Sequence, residues 1–170
     1  AKKSTKIIAI SELQKNDLVY KYNICEENKV EVIPLGFDLN KFQNDIISKR
    51  EHFRAHYQIR ADEIAIGIIG RLVPIKNHDL FLHGLNELLH NTTKKIRAFI
   101  IGDGESRNHI EQKAVELGID FVDSNKTSAT ATLTFTSWIK DIDWVMAGLD
   151  IVCLTSFNEG TPVSLIEAKA

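Results

Sequence analysis

The chain has 170 residues, of which 44% are apolar and 26% are charged. This composition is ordinary for a globular domain and excludes disordered, collagenous and disulfide-rich classes. The 21 Lys and Arg side chains nearly balance the 23 Asp and Glu side chains, so the formal charge is −2, which argues against a dedicated nucleic-acid binder.

The first sixty residues predict two short strands, each followed by a helix. The predicted elements are a strand over Ile7–Ile10, a helix from a capping box at Ser11 and Gln14 to about Tyr22, a strand over Lys29–Pro34, and a helix that Asn40 caps and that runs to Tyr57. Residues 40–60 are rich in charge and histidine, which makes this stretch the best candidate for a boundary between two packing units.

From Glu63 onward, apolar strands alternate with helical stretches. Strands are predicted at residues 64–70, 96–101, 133–136 and 149–154. Helices are predicted at 77–89, from the end of the Gly102–Gly104 turn to about Leu117, at 141–147, and from Pro162 onward. Thr161 would be the N-cap of the last helix. The strands are continuously apolar, as expected where helices cover both faces of a parallel sheet. The alternation predicts an α/β fold, with a doubly wound parallel sheet and right-handed crossovers.

Ligands of such sheets bind beyond the carboxyl ends of the strands, and the first two strand ends carry candidate loops. Gly70–Asn77 contains Arg71 and Lys76 just before a helix N-terminus, which suits an anion site; the alternative is two solvated charges on an ordinary loop. Gly102–Glu105 holds two glycines, but Arg107 stands where a dinucleotide-binding fingerprint needs its third glycine. A simple turn is therefore favoured there.

The third strand end carries an aromatic and two acidic residues. Trp138, directly after Ser137, could border a ring-shaped ligand or simply pack against the protein. Asp141 and Asp143 match an Asp-x-Asp pattern. Side chains two apart on a helix do not share a face, so capping of the next helix is favoured over metal binding.

The fourth strand end carries two glutamates, one on each side of a helix start. Glu159 precedes Gly160, which frees the backbone, and the following helix directs its amides and positive dipole end toward the strand ends. Glu167 lies about 7 Å further along that helix, among small or apolar neighbours. A carboxylate there is costly unless paired, so a hydroxyl-rich ligand is a candidate partner. The alternative is a solvent-facing position.

Together these motifs resemble one enzyme family. Glu159–Glu167 is similar to the Glu-x7-Glu motif of the retaining glycosyltransferases of group 1, or family 4. These enzymes have two Rossmann-like lobes (the GT-B fold). Gly70–Asn77 resembles their phosphate-binding loop. Further similar segments in the expected order are Ile8–Ser11, Val32–Asp38, Gly102–Gly104, Phe135–Thr136 with Asp141, and Ala147–Asp150. The resemblance covers nearly the whole chain. Departures are Ser137 where glycine is usual, Leu35 where asparagine is usual, and an inserted stretch over residues 124–132.

The resemblance implies a domain organisation and an activity. Residues 1–44 would be the tail of an N-terminal acceptor lobe and its connection, and residues 45–170 a partial donor lobe, truncated at its carboxyl end. The activity would be transfer of a sugar from a nucleoside-diphosphate sugar, with retention, to a glycan or lipid-linked glycan in polysaccharide or glycolipid synthesis. No metal or other cofactor and no nucleic acid is expected.

The resemblance also implies a location and a limit on activity. No transmembrane or signal segment is predicted, and Cys25 and Cys153 are expected to be reduced thiols of a cytoplasmic protein. The full-length enzyme could lie peripherally at the inner face of the membrane. The isolated chain, without its acceptor lobe, is expected to be inactive.

Roles for individual residues follow from the same resemblance. Arg71 and Lys76 would stabilise the departing diphosphate, where one well-placed donor is worth roughly 3 kcal/mol, and Glu159 would orient the donor sugar; these three are the predicted catalytic residues. Glu167 would accept hydrogen bonds from the ribose diol. The remaining predicted binding residues are Gly70, Gly102, Ser137, Trp138, Gly160, Thr161, Pro162 and Val163.

Two other functions compete with this interpretation. A Rossmann-type oxidoreductase would need a full glycine fingerprint with an acidic residue about 20 positions later, and neither glycine loop supplies it. A module that holds a nucleotide sugar without turnover cannot be separated by sequence from a fragment of the enzyme.

Overall fold

The computed structural model describes residues 3–170, which form two compact units. One unit holds residues 3–38 and Glu159–Pro162, and the other holds Leu39–Asn158 and Val163–Ala170. The first two residues of the predicted tail lie outside the described residues, and the lobe boundary after residue 44 stays a prediction. In residues 3–170 no helix has the length and apolar character needed to span a membrane.

The first unit is a small parallel β-α-β arrangement. Strand β1 (Ile7–Ala9) pairs with β2 (Val30–Val32), and between them helix α1 (Glu12–Asn16) continues into a π-helical turn over Asp17–Lys21, with a 3₁₀ turn over Glu27–Lys29 before β2. The Ser11 hydroxyl accepts the Gln14 N–H at 3.1 Å, and the Gln14 side chain accepts the Ile10 N–H at 2.8 Å. The predicted helix start is therefore confirmed, but regular α-helix stops at Asn16.

The second unit is built on a five-stranded parallel sheet. Its strands are β3 (Glu63–Ile69), β4 (Lys95–Ile101), β5 (Phe121–Asp123), β6 (Leu133–Ser137) and β7 (Ile151–Cys153), in the spatial order β5-β6-β4-β3-β7. The chain runs from β3 to the neighbouring β4, then to the edge strand β5 and back to β6 between β4 and β5, and it finally places β7 on the other side of β3. The topological switch point, where such folds bind ligands, therefore lies between β3 and β7.

Helices cover this sheet on both faces. They are α2 (Asn40–Gln43), α3 (Ile46–His56), α4 (His78–Asn91), α5 (Arg107–Glu116), α6 (Ile142–Gly148) and α7 (Val163–Ala168), with a 3₁₀ turn over Pro74–Lys76. Ile100 of β4 packs in one core cluster with side chains of α4 and α5, and Phe99 packs in another with Phe53 of α3 and Val145 of α6. Neighbouring strand residues point to opposite faces, so the doubly wound α/β fold is confirmed.

Two predicted helices differ from those observed. The helix expected from Asn40 to Tyr57 is two helices, because Asp45 adopts a left-handed backbone (φ 56°) that a continuous helix cannot contain. The last helix begins at Val163, so Pro162 precedes it and Thr161 is not its N-cap. This shift of one residue is within the range over which helix ends vary.

Asp150 anchors β7 beside β3. Its carboxylate accepts the Ala65 N–H at 2.7 Å and pairs with Arg50 at 2.6 Å and with Arg54 at 3.2 Å, both on α3. Burial by itself raises the pKa of Asp150, but the Ala65 hydrogen bond and the two guanidinium groups outweigh it and hold the pKa below its ordinary value. The carboxylate of Asp150 thus fixes the start of β7 to β3 through Ala65 and to α3 through the two arginines.

Candidate functional site

Gly70 forms the turn that leaves β3 at the switch point. Its backbone has φ 155°, a conformation that side chains with a Cβ rarely adopt, and its N–H donates to the Ile101 carbonyl at 2.9 Å. A Cβ placed on Gly70 would lie 3.6 Å from Lys76 Cε. The alkyl chain of Lys76 therefore passes over Gly70, so the structure brings these two predicted residues together.

The loop after β7 is tied to the loop after β3. The Thr155 hydroxyl lies 3.0 Å from the Lys76 carbonyl and 2.9 Å from the Asn77 carbonyl, and the Phe157 N–H donates to the Ile75 carbonyl at 2.9 Å. These bonds hold the backbone on either side of Lys76, just before the first turn of α4. The N-terminus of this 14-residue helix carries a partial positive charge that favours anions.

Arg71 is the more exposed of the two cations in the β3–α4 loop. Its side chain is 67% exposed, and Nη2 lies 3.5 Å from Glu105 Oε2. An exposed ion pair of this kind contributes at most about 1 kcal/mol. Arg71 can therefore exchange Glu105 for a bound anion at little cost in stability.

Gly102 and Gly104 let the loop after β4 pack against the loop after β3. A Cβ on Gly102 (φ 138°) would lie 2.0 Å from the Gly70 carbonyl oxygen, and one on Gly104 would lie 2.4 Å from the Leu72 carbonyl oxygen. The Gly102 N–H donates to the Ser137 carbonyl at 2.9 Å. The sequence favoured a simple turn here, and Gly102 was a predicted binding residue only through the family resemblance; in the structure both glycines closely approach neighbouring backbone.

Ser137 ends β6 with a backbone conformation that glycine adopts more easily. Its φ is 61°, a left-handed conformation that would suit the glycine expected here from the family resemblance. Its hydroxyl donates to Asp103 Oδ2 at 2.7 Å. This hydrogen bond, with a second from the Gly104 N–H, lowers the pKa of Asp103. The adjacent Trp138 side chain is 62% exposed.

Arg107 has a structural role that the sequence did not reveal. Its guanidinium lies 2.8 Å from Glu111 Oε1, 3.1 Å from Asp123 Oδ2 and 3.8 Å from Asp103 Oδ2, and it stacks over the Phe135 ring at 5.2 Å. It thereby joins the ends of β4 and β5 to the start of α5. One feature of the sequence could have indicated this role: Arg107 stands at the first position of a helix, where a cation is unfavourable unless acidic side chains lie near it.

The two predicted glutamates belong to different units. Glu159, with Gly160, Thr161 and Pro162, belongs to the first unit, where a Cβ on Gly160 would lie 3.9 Å from Ile10 Cδ1.

Glu167 lies on α7 in the second unit, four residues after the first residue of the helix, Val163. It is partly buried, and burial raises its pKa while the Lys41 ammonium group opposes the shift. A partly desolvated carboxylate of this kind is a strong hydrogen-bond acceptor for hydroxyl groups.

Residues 3–170 contain no group of three or more His, Cys, Asp and Glu side chains arranged to hold a metal ion. Asp143, one half of the Asp-x-Asp pattern, instead pairs with Lys49 at 2.8 Å. Asp141 occupies the N-cap position of α6 but makes no side-chain capping bond.

Comparison with known proteins identifies relatives over the whole chain. The family described as Glycosyl transferases group 1 matches residues 49–170. The chain is 26% identical over 171 residues to UDP-Gal:alpha-D-GlcNAc-diphosphoundecaprenol alpha-1,3-galactosyltransferase of Escherichia coli, covering 100% of this chain and 41% of the relative. It is 28% identical over 145 residues to the putative glycosyltransferase EpsF of Bacillus subtilis, covering 85% of this chain and 35% of that protein. The chain thus spans well under half of these relatives.

Two solved structures share the fold. Anabaena HepE in complex with UDP and glucose superposes with a TM-score of 0.75 at 22% identity, over 97% of this chain and 42% of that one. The C-terminal domain of the glycosyl transferase group 1 protein LpcC from Francisella tularensis superposes with a TM-score of 0.58 at 25% identity, over 78% of this chain and 65% of that domain.

Proposed function

The chain belongs to the group 1 glycosyl transferases, and we propose that it forms the donor-binding, C-terminal part of a retaining family 4 enzyme with a GT-B fold. The complete enzyme transfers a hexose from a nucleoside-diphosphate sugar to a glycan or lipid-linked glycan. Residues 45–170 form the donor lobe, and residues 1–44 connect it to an acceptor lobe. The similarity to the C-terminal domain of LpcC supports this assignment, as does a donor named in a relative, UDP-Gal.

The observation that carries the proposal is the pair of joined loops at the switch point. Thr155 and Phe157 hold the β3–α4 loop from the β7 side, and Lys76 lies across Gly70 at the N-terminus of α4. A diphosphate bound there meets a helix N-terminus and two cations, Arg71 and Lys76. These are the groups that an anion of high charge density requires.

The same groups assist the reaction. Breaking the bond between the sugar and the diphosphate builds negative charge on the departing oxygen, so preorganised cations lower the barrier. One such donor is worth roughly 3 kcal/mol, and the helix N-terminus about 0.3–1 kcal/mol. In a front-face reaction with retention, the departing phosphate itself takes up the acceptor proton.

The remaining proposed residues bind the two ends of the donor. Glu159 accepts hydrogen bonds from the sugar hydroxyls and orients the anomeric carbon, while Glu167 accepts them from the ribose diol. The segment from Gly160 to Val163 contributes backbone groups, and Ser137 and Trp138 lie toward the base. Glu159 and Glu167 do not act as the acid/base pair of a glycosidase.

Calorimetric titration of the 170-residue chain with UDP, GDP and ADP tests donor binding. Heat of binding is expected with at least one of them, and the double substitution Arg71→Ala with Lys76→Ala should weaken that affinity about 10- to 100-fold, since charged hydrogen bonds are lost. The matched control combines Arg60→Ala with Lys113→Ala, which removes two ion-paired cations remote from the switch point. Absence of heat with all three nucleotides, in folded protein, refutes the proposal.

Retention and location are tested on the full-length enzyme. An α-linked product from an α-linked donor, observed by proton NMR, is the expected result, and a β-linked product contradicts a retaining mechanism. Fractionation of cells should recover the enzyme in the cytoplasm or released from membranes by salt; recovery only with detergent contradicts a peripheral location. The 170-residue chain alone should bind nucleotide without transferring sugar.

A further inference from the structure

A second cavity lies on the α3 side of the sheet, within the second unit. It has a volume of about 360 Å³, and its walls include Tyr57, Arg97 of β4, Thr134 of β6 and the loop formed by residues 124–130. Phe99, two residues after Arg97, packs against α3 and α6 on this face. The 124–130 loop belongs to the stretch that departs from similar sequences, and the proposed donor site does not use it.

Arg97 brings a positive charge into the interior at this cavity. The residue is only 6% exposed. Its Nη2 donates to the Tyr57 carbonyl at 3.3 Å, and its guanidinium lies 5.8 Å from the Phe99 ring centre. Within residues 3–170 its buried Nε has no hydrogen-bond partner. Burial lowers the pKa of Arg97, and the charges of Glu63 and Asp120 oppose this shift only in part.

The other walls favour an anion rather than a cation. The Thr134 hydroxyl is also buried without a hydrogen-bond partner in the described part of the chain, in a residue that is 2% exposed. Lys126 adds a second cation, 78% exposed and 3.2 Å from Asp123 Oδ2. The cavity lining contains no aspartate or glutamate. Glu63 and Asp120 offset the cost of burying the Arg97 charge only in part, so an anion in the cavity would stabilise this arrangement.

We propose that this cavity binds the phosphoryl group of a small phosphorylated metabolite, with Arg97 and Thr134 as its buried contacts and Lys126 as a contact nearer the solvent. A guanidinium presents its donors in a fork that matches a phosphoryl group. The volume is within the range of small-molecule sites and exceeds that of a phosphate alone. Thr127 and Ser128 also line the cavity, and a polar lining of this kind suits a polyol such as a sugar.

The cavity and the proposed donor loops use different ends of β4. Arg97 is the third residue of the strand, and Gly102 follows its last residue. Gly102 lies five positions beyond Arg97, which is roughly 16 Å at the usual rise per strand residue. Binding in the cavity therefore goes beyond the proposed function and can be tested independently of it.

NMR titration of the ¹⁵N-labelled 170-residue chain tests the proposal, with inorganic phosphate and α-D-glucose 1-phosphate as probes and sodium chloride to match ionic strength. Both probes should shift the amide signals of residues 124–130 and the Arg97 Nε–H signal in a saturable way. Tighter binding of the sugar phosphate indicates that the polyol contributes, and equal binding indicates recognition of the phosphoryl group alone. Either result supports the site.

Three variants separate recognition from folding. Arg97→Met keeps a long apolar stem and should weaken phosphate binding about 10-fold or more, with an unchanged or higher unfolding midpoint in phosphate-free buffer. Thr134→Val, which is nearly isosteric, should weaken binding about 3-fold and keeps the test available if the first variant does not fold. Lys113→Ala, which removes an ion-paired cation on α5, should change nothing.

Two results overturn the proposal. The first is a lack of saturable shifts in residues 124–130 at phosphate concentrations of about 10 mM, which would show that the cavity does not bind phosphate in this range. The second is equal phosphate affinity in Arg97→Met, Thr134→Val and the unmodified chain. Shifts confined to residues 70–77 are an instance of the first result, and they would leave nucleotide binding at the switch point intact.

Discussion

Replacement of Gly102 by alanine tests whether the loops after β3 and β4 are packed backbone against backbone. The new Cβ would lie 2.0 Å from the Gly70 carbonyl oxygen and 2.9 Å from its carbonyl carbon, distances that a Cβ does not adopt. The obstacle is main chain, so no side-chain rotation can relieve the clash. Alanine at φ 138° is strained in addition.

These two effects set the size of the loss. Overpacking that forces a backbone shift costs about 1–3 kcal/mol, and the strained conformation costs a further 1–3 kcal/mol or so. Gly102→Ala should therefore lower the free energy of unfolding by about 2–6 kcal/mol. For a chain of this size that corresponds to a fall in Tm of about 4–24 °C.

Urea denaturation followed by circular dichroism measures the loss, and Gly84→Ala is the matched control. Gly84 lies within α4, and a Cβ there would have no atom within 4 Å. That substitution should raise stability by about 0.5–1 kcal/mol, because alanine is the better helix former. If Gly102→Ala changes stability by less than about 0.5 kcal/mol, which is the range of ordinary surface substitutions, the packing described for these loops is wrong.

Two further predictions concern Ser137 and His78. Ser137→Ala keeps the left-handed backbone but loses the hydrogen bond to Asp103, so it should destabilise the chain by about 1 kcal/mol. In Ser137→Gly the same bond is lost, but the relief of backbone strain offsets that loss. Equal urea midpoints for the two variants would contradict this reasoning. His78 is 3% exposed, and burial lowers its pKa to about 4 from an ordinary 6.5. As the pH falls from 6.5 to 4 the unfolded chain binds this proton first, so stability should drop by up to about 3 kcal/mol. His78→Gln should flatten that part of the pH profile, and an unchanged profile would show that His78 titrates normally.

The main strands could be predicted because burial on both faces leaves a clear mark on the sequence. Residues 63–69 and 95–101 are almost continuously apolar and form the central strands β3 and β4. The edge strand β5 was missed, since Phe121–Asp123 is only three residues long and leads into a polar loop. The break before α3 was missed as well, although Asn44 and Asp45 are residue types that tolerate a left-handed backbone.

Tertiary neighbours explain what the sequence could not show about the sites. The candidate loop after β3 was predictable, because carboxyl ends of parallel strands meet at one edge of the sheet. The role of Gly102 was not, since it depends on the carbonyl of Gly70, 32 positions earlier in the sequence. The burial of Arg97 was equally hidden, because the loop that encloses it follows a different strand.

The bonds from Thr155 and Phe157 to the β3–α4 loop have a consequence for protein engineering. A chimaera that exchanges residues 70–77 with a relative, in order to test their proposed role in donor binding, would break these bonds unless the incoming backbone had the same shape. The two loops should therefore be exchanged together, although some 80 residues separate them in the chain. A graft of residues 70–77 together with 154–158 preserves the bonds from Thr155 and Phe157, while the incoming backbone must still fit against Gly102 and Gly104.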